Sequence, residues 1–144
     1  MKRIHTMTTI VLLLTALSFY LQAQERPLLT ATVPFAFGVA NVSLPAGSYT
    51  VSILPPYNII QVQSADGRKV ATITAIPSLK SASSMQAKLV FHRFGNEYFL
   101  AQVWEQGSNI HRDLQSGNRA PALASSGERM ESVTVLANAS FGSR

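Results

Sequence analysis

Apolar residues recur at every second position through most of this 144-residue chain, and this period constrains the fold more than any other feature. Successive side chains on a β-strand point to opposite faces, so the pattern predicts short strands with one buried face, bounded by Gly, Pro and Asn. The chain has no cysteine, which excludes disulfides, thiolate metal sites and cysteine nucleophiles. Packing and strand pairing must therefore stabilise the fold.

The first alternating runs of the domain are separated by proline-containing turns. Thr32–Phe37 alternates, but Pro34 cannot donate a hydrogen bond to a neighbouring strand, so this segment is predicted to be an edge strand or a bulge. A turn at Leu44–Gly47 then leads into Ser48–Ile53, which has polar and apolar residues in strict alternation. We expect the apolar set of this second run to face the core.

The dipeptide Asp66-Gly67 lies between two alternating runs and predicts a β-hairpin with a two-residue type I′ turn. A turn of fixed length sets the register of the strands, and one face of the hairpin is then core and the other mostly solvent. The expected cross-strand pairs are Val62 with Ala71, Ile60 with Ile73, Gln61 with Thr72 and Gln63 with Val70.

A second hairpin is predicted from Lys88–Phe94 and Glu97–Glu105, with Gly95 at the first position of a type II′ turn. Both faces of this strand pair are rich in apolar residues, as at the centre of a sandwich or where a flap covers the sheet. The expected pairs are Arg93 with Tyr98, Phe91 with Leu100, His92 with Phe99 and Val90 with Ala101.

The C-terminal part combines a long polar connection with one more alternating run. Gln115–Arg129 is poor in charge and contains Gly and Pro, so we expect a mobile or functional loop without a stable helix. Glu131–Ala137 predicts a final strand. About seven strands joined mostly by hairpins favour an all-β fold, an antiparallel β-sandwich, with a small β-barrel as the alternative.

The N-terminus has the three regions of an export signal. Lys2 and Arg3 precede the uncharged run Ile10–Leu21, and small residues follow with a cleavage site near Ala23. The run is shorter than the about 20 residues that span a bilayer, although an uncleaved anchor is the alternative. We therefore expect a signal peptide at 1–23 and a single all-β domain at 24–144 that is periplasmic or secreted, with no stable membrane span after processing.

Charge and motif content give little support to catalysis or nucleic-acid binding. The formal net charge is +5, and loss of Lys2 and Arg3, one positive charge each, leaves +3 spread without a continuous basic patch. No nucleophile, nucleotide-binding or metal-ligand spacing is present, so the sequence predicts no enzyme, catalytic residue, metal or cofactor. His92 is expected to be a half-buried imidazole, and His111 could be oriented by Asp113 without forming a complete site.

The aromatic residues of the second hairpin are the best candidates for binding. Arg93 faces Tyr98 in the expected register and could form a cation–π contact, and Trp104 is expected on the same face as Tyr98 and Leu100. If this face is uncovered, it suits a protein, a glycan or another envelope component. The alternative is that Trp104 and Tyr98 belong to the core.

Four segments in this order carry a resemblance to small exported bacterial all-β proteins of unassigned function, and the resemblance spans most of the mature chain. It implies export and an all-β domain, and it implies no activity. The segments are Val33–Phe37, Leu44–Val51, Ser64–Gly67 and Lys88–Leu100.

Two hypotheses about function remain open from the sequence. The first is an exported, non-catalytic binding or structural module that holds a partner with its sheet face or with the loop Gln115–Arg129. The second is a small β-barrel that carries a hydrophobic ligand in an internal cavity.

Overall fold

The structure is a computed structural model that describes residues 26–54 and 58–140. Within these ranges the chain is all-β, with eleven strands in one large mixed sheet that is not closed and one short helix. The predicted signal peptide at 1–23 lies outside the described residues. The strands are β1 (Arg26–Val33), β2 (Phe37–Val39), β3 (Val42–Leu44), β4 (Gly47–Leu54), β5 (Ile59–Ser64), β6 (Val70–Leu79), β7 (Lys88–Phe94), β8 (Glu97–Trp104), β9 (Ile110–Leu114), β10 (Met130–Leu136) and β11 (Asn138–Ala139), and the helix is α1 (Arg119–Ser125).

The prediction of an all-β fold is confirmed, and the predicted number of strands was too low. The short strands β2, β3 and β11 have only two or three residues each, too few to show an alternating pattern. The sheet is open, so it does not match the closed barrel that was the alternative. Among the residues that the structure describes, no helix is long and apolar enough to cross a membrane.

The strand order is β10-β7-β8-β9-β6-β5-β4-β1-β11, and the long strand β6 connects its two halves. The first part of β6, up to Thr74, pairs with β5, whereas Ala75–Leu79 pairs with β9. β2 joins the sheet separately, in parallel with β8 at Gly38 and Phe99. The C-terminal segment provides both ends of the sheet, because β10 pairs with β7 and β11 pairs with β1.

The register of the β5–β6 hairpin is confirmed at all four predicted pairs, but the turn type is different. Of the two central residues, only Gly67 has positive φ (70°), whereas a type I′ turn needs it at both. Ser64 N donates a hydrogen bond to Lys69 O at 2.9 Å, and Gly67 N donates to Ser64 O at 2.8 Å, so the loop between the paired residues is longer than two residues. Lengthening the loop by one residue on each side leaves the register unchanged. The predicted residue pairs are therefore confirmed, whereas the predicted type I′ turn is wrong.

The β7–β8 hairpin has the predicted register near its turn and departs from it farther away. Gly95 has positive φ (56°), as the first position of a type II′ turn requires. The pairs of Arg93, His92 and Phe91 are confirmed, but Val90 pairs with Gln102 and not with Ala101. A β-bulge between these pairs inserts one residue into β8, which an alternating pattern cannot reveal where both faces are apolar.

The predicted strand Thr32–Phe37 is interrupted. β1 begins at Arg26 and ends at Val33, just before Pro34, and the chain resumes pairing at Phe37 in β2. Pro34 has no N–H to donate, so the break agrees with its expected effect at a strand end or bulge.

Helix α1 corrects the expectation that Gln115–Arg129 forms no stable helix. Its residues Ala120 and Leu123 pack against Phe94 and Phe99 on the outer side of the β7–β8 hairpin. Pro121 lies in the first turn, where its missing N–H removes no helical hydrogen bond. A helix of seven residues is marginal in isolation, so the apolar contact with the sheet stabilises it.

The main core contains side chains from both halves of the sheet, and Phe91 is the largest of its fully buried residues. Phe91 is fully buried and packs edge-to-face with Phe35 (centroids 5.1 Å apart) and Phe37 (5.3 Å). The predicted inward set Tyr49, Val51 and Ile53 is buried there as well, but of the alternate positions Ser48 to Ser52 only Ser48 is exposed, and Ser52 is buried. The next largest fully buried side chains of this core are Leu29, Leu44, Ile53, Ile60 and Leu89.

Replacement of Phe91 by Ala is expected to lower the free energy of unfolding by about 3–5 kcal/mol, because it removes both aromatic contacts and leaves a cavity. Urea denaturation followed by circular dichroism measures the change. Val70→Ala, at a strand position that is 43% exposed, is the matched control and should change stability by less than about 0.5 kcal/mol. Equal effects of the two substitutions would contradict the burial of Phe91 against these two rings.

Candidate ligand groove

A surface groove of about 660 Å³ lies between the β2–β3 hairpin, the β7–β8 turn and the first turn of α1. We call it the hairpin–helix groove. Its volume is within the range of small-molecule sites in proteins, about 300–1,000 Å³. The lining residues are Ala36, Phe37, Gly38, Ala40, Asn41, Val42, Ser43, Asn96, Glu97, Tyr98, Phe99, Asn118, Arg119 and Ala122.

Close packing of β2 against β8 forms the floor of the groove. Gly38 pairs with Phe99, and a Cβ atom at Gly38 would lie 2.9 Å from Cδ1 of the Phe99 ring. Only a residue without a side chain lets the two strands approach this closely while Phe99 keeps its place beneath α1. The aromatic ring is therefore held between the hairpin and the helix.

The loop before α1 fits tightly over the β2–β3 turn. Ala40 in this turn has φ +52°, a left-handed conformation that is uncommon for a residue with a side chain. A Cβ at Gly117 would lie 2.1 Å from the carbonyl oxygen of Ala40, so only glycine fits there. Asn118 N donates to Oδ1 of Asn41 at 3.2 Å. These contacts connect two segments that are distant in the sequence and fix one wall of the groove.

An ion pair between Glu97 and Arg119 connects the β7–β8 turn to the start of α1. The guanidinium donates through Nε to Oε2 of Glu97 at 2.5 Å and through Nη2 to Oε1, in a bidentate arrangement. The hydrogen bonds from Arg119, followed by its positive charge, lower the pKa of the Glu97 carboxyl. Both side chains are solvent-accessible, so the pair positions the helix more than it stabilises the fold.

The groove combines hydrogen-bonding groups with apolar surface and has little net charge. Asn41, Asn96 and Asn118 provide amides, which both donate and accept hydrogen bonds. Glu97 and Arg119 neutralise each other.

Comparison of the chain with protein-family models, curated proteins and solved structures finds no match.

Two of the predicted binding residues, Arg93 and Tyr98, lie together. The Arg93 guanidinium carbon is 5.6 Å from the centroid of the Tyr98 ring, and Arg93 Nε donates to Gly95 O at 2.7 Å. Phe35 stacks on Tyr98, with centroids 3.9 Å apart. Tyr98 is half-buried, packs against the main core and also lines the groove.

The third predicted binding residue, Trp104, does not join this group. The bulge in β8 shifts the alternation, so that Leu100 and Val103 both belong to the core. Trp104 lies on the opposite, outward face, where its ring stacks on His111. It is 4% exposed. The structure thus does not place Trp104 on the face of Tyr98 and Leu100 as the sequence suggested.

The histidines are arranged without a complete catalytic group. His92 is half-buried, as expected. His111 Nε2 is 3.5 Å from Oδ2 of Asp113, and the same carboxylate oxygen accepts a hydrogen bond from Ser78 Oγ at 2.5 Å. A serine nucleophile needs the imidazole between the hydroxyl and the carboxylate, but here the carboxylate is in the middle. Across residues 26–54 and 58–140, no group of three or more potential metal-ligating residues occurs.

Sequence reasoning missed most residues of the groove. Tyr98 was the one predicted binding residue that lines the groove, and the polar connection Gln115–Arg129, whose length predicted a mobile or functional segment, contributes Asn118, Arg119 and Ala122. The role of Gly38 depends on its contact with a strand far along the chain. No local pattern predicts such a contact.

Removal of the Arg119 guanidinium is expected to raise the pKa of Glu97 toward its ordinary value of 4.5. A lowered pKa means that the stability from this pair is present above pH 4.5 and is lost as the pH falls through the lowered value. Arg119→Gln should abolish the shift, as measured by NMR titration of the Glu97 carboxyl carbon. The exposed Arg129→Gln is the control and should leave the Glu97 titration unchanged, while a wild-type titration in Arg119→Gln would contradict the ion pair.

Proposed function

We propose that this protein is an exported, non-catalytic binding module and that the hairpin–helix groove holds an uncharged, sugar-like ligand. The groove itself is the observation that carries the proposal. It is large enough for a small ligand, and its walls are close-packed at Gly38 and Gly117 and connected by the Glu97–Arg119 ion pair and the hydrogen bond from Asn118 N to the Asn41 side chain. Such fixed walls reduce the conformational cost of binding.

The groups in the groove suit a ligand with many hydroxyl groups. A hydroxyl both donates and accepts hydrogen bonds, and so does the amide of Asn96 or Asn118. The exposed Val42 side chain and the half-buried Tyr98 ring offer apolar surface to the C–H groups of a sugar. Because Glu97 and Arg119 already satisfy each other's charge, a charged ligand gains no free counter-ion here.

The packing of the interior supports a module in preference to a carrier with an internal cavity. The described core contains fully buried side chains from both halves of the sheet, including Phe91, Leu29 and Ile60. We infer that the two halves pack on each other as the layers of a sandwich. The large groove opens at the surface, where a ligand can bind without opening the core.

Titration with an uncharged disaccharide tests the groove. N,N′-diacetylchitobiose and maltose are added to the purified, isotope-labelled protein, and backbone NMR shifts are followed. For at least one of them we expect saturable shifts confined to groove residues, with a Kd of about 1 mM, or about 4 kcal/mol of binding free energy. Ala122→Trp, which fills the groove from an exposed position of α1, should abolish these shifts.

Ala124→Trp is the matched control, since Ala124 is equally exposed on the same helix but does not line the groove. It should bind the disaccharide like the wild type, and circular dichroism should show both variants folded. Absence of saturable shifts with either sugar, or equal binding by both variants, would overturn the proposed ligand site.

Export is the second part of the proposal, and it rests on the N-terminal pattern and on the resemblance to small exported bacterial β-proteins. Expression of the full chain in a bacterium with two membranes should give a periplasmic protein, and its mass should be that of a chain that starts at Gln24. Leu13→Arg places a charge within the apolar run and should retain the full-length chain in the cytoplasm. Thr15→Ser, which leaves the apolar run uncharged, is the control and should be exported normally. Cytoplasmic, unprocessed wild-type protein would contradict export.

A further inference from the structure

A second cluster of side chains lies on the outward face of the sheet, at the other end of β8 from the groove. Strand β8 begins at Glu97 and ends at Trp104, and the rise per residue of a β-strand places these two residues roughly 20 Å apart. Cross-strand pairing aligns the cluster in one row from β6 to β7. The row is Ser78, His111, Trp104 and Lys88.

The indole of Trp104 is fixed on two sides. His111 stacks on it with centroids 4.2 Å apart and an interplanar angle of 5°, and Trp104 Nε1 donates to Oε1 of Gln102 at 3.0 Å. The ring is almost fully buried, and His111 is buried as well. Trp104 is therefore a rigid part of this face.

Two lysines place their ammonium groups over this ring. Lys80 Nζ lies 5.1 Å and Lys88 Nζ 4.8 Å from the centroid of Trp104, both within the range of a cation–π interaction. Because they share one centroid, the two positive charges lie within about 10 Å of each other. Over the described ranges, neither ammonium has a carboxylate oxygen within 4.0 Å.

Asp113 in the neighbouring strand β9 and Glu105, which directly follows β8, both have polar partners already. Asp113 accepts hydrogen bonds from Ser78 at 2.5 Å and from Gln102 at 2.8 Å. Glu105 forms an ion pair with Arg112, and both side chains of that pair are largely buried. These carboxylates have partners of their own, so the charges of the two lysines remain uncompensated.

We propose that Lys80 and Lys88, positioned on the Trp104 indole, form a binding site for a phosphate-type oxyanion. Like charges brought close together repel, and an anion between them removes this cost and gains charge-assisted hydrogen bonds. An ammonium group donates three hydrogen bonds on a flexible stem, so both lysines can reach one phosphate group. This site is independent of the hairpin–helix groove and of the ligand proposed there.

The single tryptophan of the chain makes a direct test possible, since Trp104 fluorescence and its indole N–H signal report only this cluster. The purified protein is titrated with inorganic phosphate at constant ionic strength, with sodium chloride as the control salt. We expect a saturable change of the Trp104 signals with phosphate and none with chloride. The indole N–H resonance provides a readout even if the emission does not change.

Variants separate specific binding from general charge effects. The double variant Lys80→Gln and Lys88→Gln should weaken phosphate binding by about tenfold or more, because it removes the charged donors. Lys69→Gln is the matched control, an exposed lysine outside the cluster, and should bind like the wild type. Circular dichroism verifies that each variant is folded, and the single substitutions replace the double one if it unfolds.

Vesicles identify the source of the oxyanion. Binding to phosphatidylglycerol vesicles but not to phosphatidylcholine vesicles, abolished in the double variant, would support a lipid headgroup as the ligand. Saturation by inorganic phosphate without vesicle binding would support a soluble phosphorylated ligand. No saturable response to phosphate or to either vesicle, or the same response in the double variant, would overturn the site.

Discussion

Edge-to-face contacts of Phe91 with Phe35 and Phe37 hold the β2–β3 hairpin against the sheet, and the groove depends on them. Phe37 also packs against Tyr49 of β4, with centroids 5.1 Å apart, so one ring contacts both halves of the sheet. Without cysteines, such burial is the main source of stability available to the chain. A hairpin with so few strand residues has little stability of its own, and these aromatic contacts fix where it lies.

The β-bulge in β8 changes which face of the sheet its side chains occupy, so the two ends of this strand contribute to different sites. Before the bulge, β8 pairs with β2 at Phe99 and contributes to the groove. After it, Gln102–Trp104 pairs with β9, and Trp104 faces outward among histidine and lysine side chains. Bulges commonly redirect side chains in this way. A regular strand would have placed the indole toward the core, and the lysine cluster would have no fixed surface beneath it.

Helix α1 shows how a weak local preference is decided by its surroundings. Its sequence lacks the charge pattern that stabilises an isolated helix, and no side chain caps its N-terminus. Apolar contacts with Phe94 and Phe99 and the ion pair of Arg119 with Glu97 hold it in place. The same contacts cover the outer face of the β7–β8 hairpin, which explains why both faces of that hairpin are apolar.

The sequence by itself determined the all-β class, the β5–β6 register and the β7–β8 register near its turn, because alternation and turn residues act over short distances. The Arg93–Tyr98 contact follows from the same register. Tertiary structure alone decided the bulge that turns Trp104 outward, the helix, and the groove built by Gly38 and Gly117. Each of these depends on contacts between residues far apart in the chain, whose close packing has no signature in any single segment.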